Sequence, residues 1–341
     1  MRILVIGGTQ LVGRHIVHAA LAVRDEVTLF HRGRTNPELF PEAEHRQGDR
    51  NCDLSALATG EWDATIDTSA YVPRQVRSLA EALDGRGGHY VHISSVSAYA
   101  APTGPGGNED LPLVLLDDPT TEKVNGHTYG GLKALCERAS HEAFGGGGPG
   151  EIRPGETVTI IRPTYVAGPH DHTYRFTWWV ERLARGGRVL APGPGDNPFQ
   201  VIDVRDLAAF VLLLAHGEVG GTFHTVSPAP PFSFEEFLTT AAAAVAPEGT
   251  ELVWVDPGWL ASHGVTGADL PLWAGTGDGR DLGALDPSRA VAAGLRRRPL
   301  ASTVREVHAH ELAAPTQSNE SVGLDPVRED ELLAAWATSA R

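Results

Sequence analysis

Two short stretches carry residue types and spacings suited to proton transfer. In Tyr129-Gly130-Gly131-Leu132-Lys133 a tyrosine and a lysine stand four residues apart, which on a helix puts both side chains on one face. A free phenol ionises near pH ~10 and is a poor acid/base catalyst at neutral pH. An ammonium group one turn away would stabilise the phenolate and bring that value down. Upstream, Ile93-Ser94-Ser95-Val96-Ser97-Ala98-Tyr99 places hydroxyls at the end of an apolar run, where one can donate to a substrate carbonyl oxygen. Lysine is scarce here, since only Lys123 and Lys133 among 28 basic residues are not arginine.

A third stretch is suited to holding a nucleotide. Gly7-Gly8-Thr9-Gln10-Leu11-Val12-Gly13 follows the apolar run Ile3 to Ile6 and precedes the helical pattern LVGRHIVHAALA. Between a strand and a helix, such a loop offers bare backbone N–H groups and a helix N-terminus to a pyrophosphate. The middle glycine of a three-glycine pattern is replaced by Gln10, which narrows the approach to the phosphates. At the end of the second apolar run, Phe30-His31-Arg32-Gly33-Arg34 has no acid to accept from a ribose 2′-hydroxyl. Arg32 and Arg34 instead suit a 2′-phosphate, so NADP(H) is expected over NAD(H). Gly48-Asp49-Arg50 forms a further turn that could bring Asp49 to the adenine amino group.

The elements needed to position these groups are legible as alternating strands and helices. Short apolar runs predict strands at Ile3–Ile6, Val27–Phe30, Ala64–Asp67, His89–Ser94 and Val158–Ile161. Helices are expected over 11–22, Pro73–Leu83 and Tyr129–Phe144. This alternation implies an α/β fold, a doubly wound parallel sheet with a smaller C-terminal substrate lobe. The dinucleotide-binding part is placed at residues 1–163, the substrate lobe at 164–314, and a linker with a last helix at 315–341. Within the lobe, Phe199–Asp203 reads as a late return to the sheet, and helices are expected at Val204–Ala215 and Ser233–Ala246. The run 145–150 (GGGGPG) reads as a flexible surface connection. Asp325 and Pro326 suit the N-cap and first turn of a final helix ending near Trp336.

The chain resembles an extended short-chain dehydrogenase/reductase of the NAD-dependent epimerase/dehydratase type, on VIGGTQLVG, YVHISSVSAYA, YGGLK, IIRPTYVAGP, FQVIDVRDLA and DPSRAVAAGLRRRPLASTVRE. The resemblance implies that Ser95 is the catalytic hydroxyl, Tyr129 the proton donor or acceptor, and Lys133 the residue holding the nicotinamide ribose. It further implies that Thr68, Ser69 and Ala70 form the turn over the adenosine side, and that Pro163 to Val166 lie beside the nicotinamide carboxamide. A homodimer through a four-helix contact including the Tyr129 helix is implied as well. Two departures matter. Gln10 belongs to a reductase-like branch of the resemblance, and Val96 and Ser97 occupy positions where family dehydratases carry Asp and Glu. Elimination from a sugar is therefore disfavoured.

Substrate contacts are expected from Ser97, His170, Arg175 and Trp178. His170-Asp171-His172 has the residue types of a metal motif but, on a loop rich in glycine and proline, reads as part of a substrate lid. Arg175 and Trp178 offer a cation and an aromatic wall, or else lobe packing. Arg296-Arg297-Arg298 reads as a solvated cluster, and Cys136 as a small buried hydrophobe.

Composition bounds the remaining classes. The 341 residues are 41% hydrophobic and 21% charged, enough for a sizeable core. A formal net charge of −15 argues against nucleic acid or an anionic membrane as partner. Cys52 and Cys136 lack the spacing of a zinc site or a disulfide framework. The longest apolar run, Leu207–Ala215, is too short to span a bilayer. No leader pattern is expected at MRILVIGG, so the reading is of a cytoplasmic enzyme acting on a small carbonyl or alcohol substrate. The alternatives are an epimerase that retains NAD and a non-catalytic scaffold.

Overall fold

The computed structural model describes residues 1–101, 104–145, 158–226, 231–275, 282–316 and 322–339. In chain order its strands are β1 (Arg2–Ile6), β2 (Glu26–His31), β3 (Glu44–Gln47), β4 (Ala64–Asp67), β5 (His89–Ile93) and β6 (Val158–Pro163). They continue as β7 (Tyr165–Ala167), β8 (Arg188–Pro192), β9 (Pro198–Phe199), β10 (Val201–Asp203), β11 (Gly221–Thr225), β12 (Phe232–Ser233) and β13 (Glu251–Val255). The first three helices are α1 (Leu11–Ala22), α2 (Pro73–Leu83) and α3 (Tyr129–Phe144). Then follow α4 (Arg175–Arg185), α5 (Val204–His216), α6 (Phe234–Val245), α7 (Pro257–Ser262), α8 (Ser288–Ala292), α9 (Leu300–Ala313) and α10 (Pro326–Ser339).

Seven strands form one sheet in the order β3-β2-β1-β4-β5-β6-β11, every neighbouring pair parallel. The chain runs outward from β1 to β3, then returns to β4 and continues the other way. That reversal leaves a crevice at the C-terminal ends of β1 and β4, where doubly wound sheets bind ligands. Register aligns the walls: Ile6 sits opposite Phe30 on one side and Asp67 on the other.

The alternation within β1 assigns its side chains to two cores. Ile3 and Val5 pack with Ile16, Val17, Leu207 and Phe210 under α1 and α5. Leu4 and Ile6 pack with Val76, Leu79, Cys136 and Ala139 under α2 and α3, so Cys136 is the buried hydrophobe its setting suggested. The lobe has its own aromatic core, in which Phe176, Trp179, Phe199, Phe234 and Phe237 meet between α4, α6 and β9.

Several expectations need correction. Phe199–Asp203 does not rejoin the large sheet. It splits into β9, paired with β12, and β10, paired with β7, and the late return is β11. Asp325 does cap the last helix, accepting from the N–H groups of Val327 and Arg328, but α10 runs on to Ser339. Arg298 is not merely solvated, since its guanidinium pairs with Asp206 at 2.7 Å. Residues 146–150 of the glycine connection lie outside the described residues, as do 317–321 of the linker. Among the described residues no helix is long and apolar enough to cross a membrane.

Candidate active site

A cleft of about 660 Å³ opens at the sheet reversal, lined by the glycine turn, the ends of β2 and β4, and the turn after β3. Its floor must be bare backbone. Gly7 and Gly8 have φ of +104° and +93°, and a Cβ on Gly7 would lie 2.5 Å from the Thr68 hydroxyl. A Cβ on Gly13 would meet the Gly8 backbone at 2.7 Å, so this glycine lets α1 approach β1. Thr9, Gln10, Leu11 and Val12 complete the turn, with Gln10 exposed and making no side-chain capping bond. The turn therefore keeps the shape of an anion cradle at the N-terminus of α1, and the residues present fit a dinucleotide pyrophosphate.

Thr68 and Ser69 line the opposite wall, and the Thr68 hydroxyl donates to the Ile6 carbonyl at 2.9 Å. Ala70 is fully buried behind them and contributes its carbonyl elsewhere, as described below. Beyond the ends of β2 and β3, Arg32, Arg34 and Asp49 face the cleft, both arginines being exposed. Hydrogen bonds from Asn51, with the nearby charges of Arg32 and Arg34, hold the Asp49 carboxyl below its usual range.

Beneath this wall lies a pair that sequence reasoning missed. Arg50 grips Asp67 with two bonds of 2.7 and 2.8 Å and reaches Ser69 at 2.9 Å. Tyr90 donates to the same carboxylate at 2.9 Å. Asp67 is fully buried, yet this cation holds its carboxyl well below the usual range, against the upward push of burial. The signal was available: an acid closing an apolar strand needs a partner.

Beside the cleft, across Tyr71, α3 begins with Tyr129 against the turn that carries Ser95; Ser95, Tyr129 and Lys133 do not themselves line the cleft. Gly130 permits this contact, because a Cβ there would run into the Ser97 carbonyl. Ser95 accepts from the Ser97 N–H at 3.1 Å. Burial pushes the Tyr129 phenol up, Tyr71 adds to that, and Ser95 and Arg175 oppose it. Ser97, Tyr129 and Val124 also border a second hollow of about 390 Å³.

Lys133 is on the expected face but buried, its ammonium donating to the carbonyls of Ala70 at 2.9 Å and Ile93 at 2.7 Å. The Tyr71 ring covers it, with the ammonium 5.5 Å from the ring centre. Burial lowers the Lys133 pKa.

Behind Ser95 runs a second network unseen in the sequence. Glu137, one turn beyond Lys133, accepts from Ser94 and holds Arg162 at 2.6 and 3.0 Å. Arg162 donates to the Tyr99 oxygen, and Tyr99 in turn meets His224 Nε2. Because His224 Nδ1 faces the Asp286 carbonyl at 2.9 Å it must carry the proton, so Tyr99 donates to Nε2.

The remaining predicted residues are scattered. His170, with φ +67°, turns away toward His15 and His310, its ring centre 4.1 Å from that of His310, while His172 lines the cleft instead. Trp178 is 7% exposed, packed against Trp179, and belongs to the lobe core rather than to a substrate wall. Arg175 remains exposed, its guanidinium over the Tyr165 ring. Pro163 ends β6 and is buried, and Val166 in β7 is partly buried, neither lining the cleft. Among the described residues no group of three His, Cys, Asp or Glu side chains could hold a metal ion.

Comparison with known proteins places this architecture. A curated relative, the chloroplast stem-loop binding protein of 41 kDa b from Arabidopsis thaliana, is 24% identical over 274 residues. The alignment spans 75% of this chain and 66% of that protein. Among solved structures, the UDP-glucuronic acid 4-epimerase from Bacillus cereus in complex with NAD is 17% identical with a TM-score of 0.66. It is covered over its full length and over 92% of this chain. The UDP-glucose 4-epimerase of Thermotoga maritima is 16% identical, with a TM-score of 0.65 and coverage of 92% and 99%. At such identities the likeness is one of fold. The sequence model of the NAD dependent epimerase/dehydratase family matches residues 3–226. The match takes in the glycine turn, Ser95, Tyr129 and Lys133, and on this evidence the chain belongs to the NAD dependent epimerase/dehydratase family.

Proposed function

We propose that the protein is an NADP(H)-preferring oxidoreductase acting on a carbonyl or secondary alcohol of a small metabolite. The observation that carries this reading is the cleft itself, with its bare-backbone glycine turn, with Arg32 and Arg34 at its rim, and with Tyr71 in its wall, whose ring centre lies 6.4 Å from that of Tyr129. When bound, a nicotinamide would supply or accept the hydride. The glycine turn would hold the pyrophosphate, and the two arginines would pair with a 2′-phosphate. Tyr129 would move the proton at the substrate oxygen while Ser95 orients that oxygen. Lys133 ties the turn after β4 to the end of β5 through the Ala70 and Ile93 carbonyls and keeps a cation under the site.

A second reading is an epimerase that oxidises and re-reduces a nucleotide sugar on retained NAD. It is favoured by the family itself and by the NAD complex of the Bacillus cereus neighbour. Releasing the nucleotide from freshly purified protein by denaturation separates the two. An empty protein, or one with traces of NADP, is expected, followed by NADPH-dependent turnover of a carbonyl panel. Stoichiometric NAD would overturn the net-redox reading in favour of the epimerase.

A further inference from the structure

We infer that His31 and His45 are positioning residues for the turn that carries Arg32 and Arg34, and so set how the protein tells a 2′-phosphate from a 2′-hydroxyl on the adenosine ribose. The inference rests on the reading of the cleft as a nicotinamide dinucleotide site. His31 ends β2, is 7% exposed, and has its ring edge-on to that of His45 on β3, with centres 5.1 Å apart.

The bonds around this pair run in one direction only. The Gly33 N–H donates to His31 Nδ1 at 3.0 Å, so that nitrogen must carry a lone pair. The proton of His31 therefore sits on Nε2, which donates to His45 Nδ1 at 2.8 Å. His45 must in turn be protonated on Nε2, which donates to the Phe40 carbonyl at 3.0 Å. Two neutral imidazoles thus join the two ends of the segment 33–40, which contains no helix or strand. Both ends are held in the left-handed region, with φ of +67° at Gly33 and +61° at Phe40. Between them, the Asn36 amide donates to the Thr9 carbonyl at 3.0 Å and ties the segment to the glycine turn.

Arg32 and Arg34 flank Gly33 and face the cleft. An arginine on a loose turn loses rotamer and backbone freedom when it grips a phosphate, and a fixed turn removes the backbone part of that cost. The relay ends on the backbone of the binding turn, so its effect falls on the groups that turn carries.

Calorimetric titration of the full-length protein with NADP and with NAD tests this. His31→Leu and His45→Leu are expected to weaken NADP binding about tenfold. NAD should move less than about threefold, so the ratio of the two dissociation constants collapses. His31→Asn, whose amide oxygen can still accept from Gly33, should restore most of the ratio. An unchanged ratio in both leucine variants, or a parallel loss of NAD and NADP in variants that keep the wild-type melting temperature, overturns the inference. If one leucine variant fails to fold, the other and His31→Asn decide it. A wild-type protein that prefers NAD overturns the cofactor preference proposed above, whereas the relay is still judged by whether the variants shift the ratio. A wild-type protein that binds neither dinucleotide overturns both.

Discussion

The open cleft and the Tyr129 region beside it are built on opposite plans. In the cleft the walls are largely backbone, from Gly7, Gly8 and Gly33, and exposed Arg32 and Arg34 project into the opening. At the Tyr129 end the charged groups are spent on one another before any ligand arrives. Lys133 is held by two carbonyls, and Glu137, Arg162, Tyr99 and His224 form one buried chain. Charge buried without a partner is costly, so an interior site that needs cations and carboxylates must satisfy them internally. The contrast is physical: proton transfer needs atoms held to a fraction of an ångström, whereas phosphate binding can recruit flexible arginines from the surface. Arg50 and Asp67 mark the boundary, a buried pair that supports an open wall.

The contrast is broken most severely at Tyr129. Tyr129→Phe removes only the phenol oxygen and keeps the ring that meets Tyr71. Steady-state turnover on any accepted substrate should fall by about 10²- to 10⁴-fold, with dinucleotide affinity nearly unchanged. Retained turnover would mean that the locked end is not the catalytic one.

Next comes Glu137→Ala, which strands the Arg162 guanidinium in the interior with only the Tyr99 oxygen and the Glu109 carbonyl. A loss of about 3–5 kcal/mol in urea unfolding is expected. Exposed pairs such as Arg77–Glu142 should cost less than about 1 kcal/mol when cut the same way. Equal losses would show that the buried chain is not a lock.

How far these features could be read in advance follows the same divide. Strands β1, β2 and β4 and helices α1, α2 and α3 were legible because each is a short apolar run or an amphipathic pattern bounded by glycine, proline or a cap. β3 was not, because its residues Glu44–Gln47 are polar and half-exposed at a sheet edge. The glycine turn, Ser95, Tyr129 and Lys133 are local motifs and carry their own spacing. Arg50–Asp67, Glu137–Arg162 and Tyr99–His224 are joined only by sheet register and helix packing, across gaps of 17, 25 and 125 residues. His170 and His172 differ by two positions on one loop, yet only His172 lines the cleft, and no local spacing tells the two apart.

Acid should loosen the locked end. An unfolded histidine titrates near ~6.5, whereas burial pushes His224 down to about 4. Between those values the unfolded chain binds a proton that the folded chain refuses. The stability due to His224 is therefore fully present above about pH 6.5 and lost as the pH falls toward 4. The loss is on the order of 3 kcal/mol. Urea midpoints measured across that window should slope downward with acid, and His224→Gln should flatten part of the slope. A slope unchanged in that variant would place the acid sensitivity in other buried imidazoles.

The open end should respond least in stability and most in selectivity. Arg32 and Arg34 are exposed, so replacing either with alanine removes no buried contact and should leave the melting temperature within a few degrees. A charge-assisted bond to a 2′-phosphate contributes about 1.5–3 kcal/mol, so each alanine should weaken NADP by roughly 10- to 100-fold. NAD, with a hydroxyl at that position, should be affected little. The double variant then approaches equal affinity for the two, a change visible by titration without any substrate. If both alanines leave NADP binding intact, the arginines are solvated surface groups. The adenosine end would then be open for some reason other than phosphate, and the comparison with the locked end would rest on its glycines alone.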